Sequence, residues 1–245
     1  MPRALRCYLP GYVWHITHRC HGREFLLRAA RDRTVWRKWL LEATRRYGLC
    51  VLNYVATSNH VHLLIHDSAG DGRVSAAMQL LEGQAAQAYN RRVGRHGAFW
   101  EDRHHAVAVE TGSHLWRCLI YIDLNMVRAG AVEHPRDWIH GGYHELQGGR
   151  KRYRVLDLER LAELLNCATV DDLCDSHCAH VEAALRSPIV REPIWTESIA
   201  VGSKSFVTAI EARFGLSGDR VRLSEAESSY VLKEESPEYF PPGHA

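Results

Sequence analysis

Hydrophobic and polar positions alternate along Tyr12-Val-Trp-His-Ile-Thr-His-Arg19, a run rich in β-forming residues that predicts a strand. Residues 31–47 change to a helical period, with Val35, Trp39, Leu40 and Ala43 on one stripe and Gly48 as the stop. Two further strands follow at Leu49–Ala56 and His60–His66, joined by the turn residues Thr57, Ser58 and Asn59. Val74–Arg92 predicts a second helix that buries Ala77, Leu80, Leu81, Ala85 and Tyr89, Ala106–Glu110 a short strand, and His114–Arg128 a third helix. The order β-α-β-β-α-β-α predicts an α+β protein built as a ferredoxin-like sandwich with one extra helix.

Beyond this unit the pattern changes. The glycine pairs at 141–142 and 148–149, followed by Arg150-Lys151-Arg152, predict a flexible basic boundary. Helical patterns then recur at 156–165, 170–185 and 206–214, and the proline-rich end from Ser236 is expected to fray. The expected domains are therefore 1–146, an acidic helical extension over 147–235, and a flexible tail over 236–245.

The formal net charge of +2 conceals an asymmetry. Residues 1–154 carry 23 Lys/Arg against 13 Asp/Glu, whereas residues 155–245 carry 8 against 16. The basic part, in which nearly every cation is Arg, suits a polyanion, because the guanidinium fork binds phosphate and stacks on bases. The composition is that of a globular protein, and no run of about 18 apolar residues suggests a membrane span. The seven scattered cysteines read as reduced thiols, and with no secretory signal the expected location is the cytoplasm.

The chemistry concentrates in Asn59-His60-Val61-His62. Residues i and i+2 of a strand share a face, so His60 and His62 can present two imidazoles to one metal. On the third helix Tyr121 and Asn125 lie four apart and therefore side by side. Taken singly, the His pair could arise by chance among 16 histidines, Tyr121 could be a core residue with a wet hydroxyl, and Asn125 a helix-end residue. Taken together, two imidazoles and an amide oxygen make a three-ligand open site suited to Mg²⁺ or Mn²⁺, beside a tyrosine nucleophile.

These motifs, in order, resemble the single-tyrosine HUH transposases, specifically the REP-associated tyrosine transposase group. The resemblance covers residues 1–146 and rests on Pro10-Gly-Tyr-Val-Trp-His-Ile-Thr-His-Arg19, Asn59-His-Val-His-Leu-Leu-Ile65, Tyr89-Asn-Arg-Arg92, Gly97-Ala-Phe-Trp-Glu-Asp-Arg103 and Tyr121-Ile-Asp-Leu-Asn-Met-Val-Arg-Ala-Gly130. It implies metal-dependent cleavage and strand transfer of single-stranded DNA at hairpin-associated sites. In that reading Tyr121 attacks the scissile phosphate and forms a covalent 5′-phosphotyrosine, with His60, His62 and Asn125 as ligands of Mg²⁺ or Mn²⁺. No nucleotide cofactor is expected, in keeping with the lack of a Gly-x-x-x-x-Gly-Lys loop. The expected DNA contacts are Arg3, Arg6, Arg19, Arg23, Arg91, Arg92, Arg95, Trp100, Arg103 and Arg128.

The expected enzyme is bacterial, nucleoid-associated and monomeric rather than dimeric. Two alternatives are a domesticated, non-catalytic hairpin-binding protein and a metal-dependent phosphodiesterase that uses water. The chain departs from the family pattern at Ser58 and Met126, where Pro is usual, at His104-His105, and at Cys20. Met126 in place of Pro is expected to let the third helix continue. Cys167, Cys174, His177, Cys178 and His180 lack the spacing of a zinc site and are expected to pack as part of a helix.

Overall fold

The computed structural model describes residues 8–149, 152–215, 221–226 and 229–234. The first strand, β1 (Tyr12–Arg19), lies between β3 (His60–Asp67) and β4 (His105–Val109), antiparallel to both, and β2 (Cys50–Ala56) pairs antiparallel outside β3. The order β2-β3-β1-β4, with α1 (Ala30–Tyr47) and α2 (Arg73–Val93) as the crossovers, is the ferredoxin-like arrangement expected. The strands differ by face. Trp14, Ile16 and His18 of β1 face α1 and α2, while His15, Thr17 and Arg19 face α3 (Ser113–Asp123).

The α1 stripe is turned from the expected one. Trp36, Leu40 and Ala43 are buried, and Val35 and Trp39 lie at its margins. The helix ends where Gly48 takes a left-handed φ of 63°, a conformation glycine adopts without a Cβ clash. The third helix does not run unbroken to Arg128. Leu124 (φ −78°, ψ 4°) divides α3 from the single turn α4 (Asn125–Arg128), although the Leu124 and Arg128 amides keep their bonds to Ile120 and Leu124 carbonyls.

The extension is not purely helical, and it does not stand apart. After α5 (Tyr143–Leu146), α6 (Leu158–Leu164), α7 (Val170–Leu185) and α8 (Ile194–Glu197), the strand β5 (Ala200–Gly202) pairs parallel with β4. Following α9 (Lys204–Phe214), β6 (Val221–Ala226) and β7 (Ser229–Glu234) form a hairpin whose β7 pairs with β5. The result is one seven-stranded mixed sheet, β2-β3-β1-β4-β5-β7-β6. Leu161, Trp195, Val201 and Val231 of the extension belong to the same hydrophobic core as Ile16, Leu64 and Leu119.

Arg150 and Lys151 of the expected flexible boundary lie outside the described residues, and the residues on either side are tied down. Gly142 N–H donates to the Tyr54 carbonyl at 2.8 Å, and the buried Glu145 carboxylate accepts from the Tyr54 hydroxyl and from the amides of Val155 and Leu156. His177 of α7 is fully buried and pairs with Asp123 of α3 at 2.7 Å, and the other Asp123 oxygen accepts from Asn53 of β2 at 3.0 Å. No helix among the described residues is long and apolar enough to cross a membrane.

The His177–Asp123 pair gives a direct test of how far the extension supports the rest. Replacing His177 by Phe keeps roughly the ring volume and leaves one Asp123 oxygen buried without its hydrogen-bonding partner, with only the Asn53 amide remaining, which should cost about 1–3 kcal/mol. Urea unfolding measures it. A loss under about 1 kcal/mol would mean that α7 docks independently of α3.

Candidate nucleic-acid cleavage site

The site assembles on the α3 face of the sheet. The β1–β3 register sets Thr17 opposite His62 and Arg19 opposite His60. His62 is 1% exposed, and its Nδ1 lies 2.8 Å from His15 Nε2 and 3.2 Å from Thr17 Oγ1. On its other side Nε2 faces the Asn125 amide at 2.9 Å. An amide N–H donating there requires the His62 proton to sit on Nδ1 and a lone pair on Nε2. His60 hydrogen-bonds through Nδ1 to Asn59 Oδ1 (2.8 Å) and Thr57 Oγ1 (3.0 Å), and the two rings stand edge to face 4.9 Å apart.

Tyr121 completes the group. Its ring centre is 5.9 Å from His62 and 6.1 Å from His15, and the Arg128 guanidinium lies 4.1 Å above it. The kink at Leu124 leaves the i, i+4 relation of Tyr121 and Asn125 usable, so both reach the same imidazole.

Burial controls the ionisation of these groups. Loss of water pushes His15 down to about 3 and His60 to about 4, and lowers His62 well below its ordinary 6.5. Nearby positive charge, from Arg128 in all three and from Arg19 in the last two, acts in the same direction. Burial raises the Tyr121 phenol, and the Arg128 charge opposes that rise. Neutral imidazoles with exposed lone pairs are the form that binds a metal. The donor set of His60, His62 and the Asn125 amide, which presents its oxygen after a half-turn, therefore fits a divalent ion.

Two cavities flank the group. One, of about 880 Å³, is lined by His60, Thr17, Arg19, Arg23, Arg103 and Arg191, among others. The other, of about 490 Å³ and mostly apolar, is lined by Tyr121, Arg128, Arg117 and Glu192 and by residues of α7. The segment 191–197 runs between them. Its Trp195 is fully buried, 6.2 Å from the Tyr121 ring, and Glu192 accepts from Arg117 and from the Trp195 indole.

The expected DNA contacts divide accordingly. Arg19, Arg23 and Arg103 line the larger cavity together with His60, and Arg128 covers Tyr121. Arg92 is instead committed to the core, with a two-pronged bond to buried Asp32 at 2.7 and 3.0 Å. Arg95 bonds the Ala98 carbonyl and approaches Glu24, and exposed Arg91 bonds Gln87. Trp100 is no open stacking platform, since His18 stacks on it at 4.2 Å and its indole N–H is held by the Glu82 carbonyl. Arg3 and Arg6 lie outside the described residues.

His15, Thr17, Arg191 and Trp195 are absent from the sequence-based set. The alternation of β1 already places His15 and Thr17 on one face, and only the pairing with β3 shows that this face meets His62.

Residues 10–124 match the family model of IS200-like transposases. This segment is similar to the IS200-like transposases. The chain also superposes on a solved structure of a REP-associated tyrosine transposase bound to a REP hairpin, with a TM-score of 0.52 and 21% identity over 64% of this chain and 94% of that one. That likeness establishes the shared fold. No curated protein matches the chain. The matched segment ends at Leu124, so Tyr121 lies inside it and Asn125 just beyond.

The depressed histidines make the domain acid-sensitive. Between pH 7 and 4 the unfolded chain protonates these rings near 6.5 while the folded chain does not, so stability falls as pH falls. Each ring contributes a slope of up to about 1.4 kcal/mol per pH unit. Exchanging His15 for Gln should remove about one proton from that slope, read from urea unfolding at a series of pH values. An unchanged slope would show that His15 titrates normally.

Proposed function

We propose that the protein cleaves and rejoins single-stranded DNA beside hairpins through a covalent tyrosyl phosphate. The observation that carries this reading is the convergence on His62 of the Asn125 amide at 2.9 Å and the Tyr121 ring at 5.9 Å. The hydroxyl oxygen of Tyr121 attacks the scissile phosphorus, the bond from phosphorus to the 3′ oxygen breaks, and a 3′ hydroxyl leaves. The 5′ phosphate stays on Tyr121 until another 3′ hydroxyl attacks it and frees the tyrosine.

His60, His62 and Asn125 would hold Mg²⁺ or Mn²⁺. When bound, the ion stabilises negative charge on the phosphoryl oxygens during displacement. Thr17 and His15 hold the His62 ring so that Nε2 points at Asn125. Arg128 sits where it stabilises a developing phenolate. Arg19, Arg23 and Arg103 supply the phosphate-binding wall beside His60. The bound hairpin of the structural neighbour supports the choice of substrate, and a bacterial nucleoid setting follows from that substrate.

A covalent-capture gel tests the reading. The full chain is mixed with labelled single-stranded DNA taken from the hairpin-containing flanks of its gene, with Mn²⁺ or with EDTA. A denaturation-resistant protein–DNA band should appear with Mn²⁺ and vanish with EDTA, with Tyr121→Phe, and with His60→Ala combined with His62→Ala. Binding without any such band would favour the non-catalytic hairpin binder. Metal-dependent cleavage that survives Tyr121→Phe would favour hydrolysis by water.

The arginine wall has its own signature. Each of Arg19→Ala, Arg23→Ala and Arg103→Ala should weaken DNA binding for all sequences alike and lower the slope of log affinity against log salt by about 0.7 for single strands. The same slope for Arg92→Ala as for wild type is expected, because that guanidinium is occupied by Asp32.

A further inference from the structure

On the opposite face of the sheet, away from His60 and His62, three further ligand-type side chains meet. His18 of β1 lies with Nδ1 3.1 Å from Glu82 Oε1 of α2, and His104, just ahead of β4, lies with Nδ1 2.6 Å from the same oxygen. The three atoms fall within 4.8 Å of one another, and among the described residues no other three His, Cys, Asp or Glu side chains meet this way. We propose that His18, Glu82 and His104 form a second, structural metal site of the zinc class, distinct from the catalytic one.

The hydrogen bonds around the cluster carry the inference. His18 Nε2 lies 2.7 Å from the Asp102 carbonyl oxygen, which can only accept, so Nε2 bears the hydrogen. In the neutral ring this leaves a lone pair on Nδ1, directed toward the Glu82 carboxylate. That nitrogen is buried and makes no hydrogen bond of suitable direction. Two lone pairs facing each other in a buried space repel unless a proton or a metal ion lies between them, and three ligand atoms gathered at one point suit the metal ion. His104 differs in that its Nδ1 makes a 2.6 Å hydrogen bond to Glu82 Oε1; ligation would move that hydrogen to Nε2, which is 2.7 Å from the Tyr8 hydroxyl, an oxygen able to accept it.

A ligating imidazole ordinarily donates its other N–H to a carbonyl, carboxylate or hydroxyl oxygen, and both rings have such a partner in place. Ligand atoms about 3.3 Å apart suit a tetrahedral ion with bonds of about 2.0 Å. The observed spacing reaches this with small side-chain shifts. Two nitrogens and one carboxylate oxygen favour Zn²⁺ over Mg²⁺, which prefers an all-oxygen shell. The fourth position would be left to water. The rings are already fixed, with His18 stacked on Trp100 at 4.2 Å and the Trp100 indole bonded to the backbone of Glu82 itself. The bound ion would lock β1, α2 and the 99–104 segment together, and with them Arg103 in the cavity beside His60.

The test uses the full chain, free of any affinity tag, with His60→Ala and His62→Ala to silence the catalytic pair. The chelator-stripped protein is titrated with Co²⁺ as a spectroscopic probe and melted with and without Zn²⁺. One Co²⁺ per chain should bind with the visible absorption of a tetrahedral site, Zn²⁺ should displace it, and Zn²⁺ should raise Tm by several degrees. Adding Glu82→Gln should abolish the band and weaken Zn²⁺ binding at least tenfold, with folding checked by circular dichroism. If that chain does not fold, His104→Gln replaces it. No band and no Tm shift in the His60→Ala/His62→Ala chain would overturn the proposal, as would equal binding with and without Glu82. The cluster would then be an ion network closed by protons. Neither result depends on DNA cleavage, so the proposal stands or falls apart from the transposase reading.

Discussion

Thr17 stands directly opposite His62 in the β1–β3 ladder, and that single register fixes every other relation at the site. A strand alternates its side chains with a period of two, so a slip of one residue would send His60 and His62 into the α1–α2 layer and bring Val61 and Leu63 to Tyr121. Such a slip is opposed on both faces. Val61, Leu63 and Ile65 would leave the core on one side, while His15 and Thr17 would lose His62 on the other. The placing of His60 and His62 is therefore specified less by the histidines themselves than by the apolar positions that alternate with them.

The second constraint acts on α3. For Tyr121 to stay beside His62, the helix that carries it has to be held at a fixed height over the sheet. Here Leu115, Leu119 and Ile122 supply the apolar contact, and Asp123 supplies a directional one. Its carboxylate lies between Asn53 of the sheet and His177 of the extension, so sheet, helix and extension are joined by one buried polar chain. Fully satisfied networks of this kind rigidify, because in a low dielectric any member left alone is costly. The acidic extension thus reads as part of the scaffold of α3, with Glu145 performing the same service beneath Tyr54.

Much of this was legible in the sequence, for a physical reason. The elements from β1 to α3 are long enough for a period of 2 or 3.6 to show, and the turn Thr57-Ser58-Asn59 and the stop at Gly48 mark their ends. The extension was harder. β5 has only three residues, too few for alternation, and its pairing is set by β4 and β7 rather than by its own pattern. Arg92 resembles any exposed arginine until Asp32, sixty residues away, is seen beneath it. The fate of His15 depended on knowing which strand lies alongside. What single-sequence reasoning misses here is partnership across the chain, whereas local periodicity it reads well.

One cation links the two chemistries of the site. Arg128 lies over the Tyr121 ring, and its field reaches His15, His60 and His62. For the histidines burial is the larger effect and Arg128 adds to it, so the rings stay neutral and ready to ligate. For Tyr121 burial works against ionisation and Arg128 works with it. A positive charge favours whichever protonation state is the more negative, and at this site that means the neutral form of each imidazole and, against the larger effect of burial, the ionised form of the phenol. The guanidinium that does this has itself been partly stripped of water, and its charge only partly offsets the burial that keeps the Tyr121 phenol protonated.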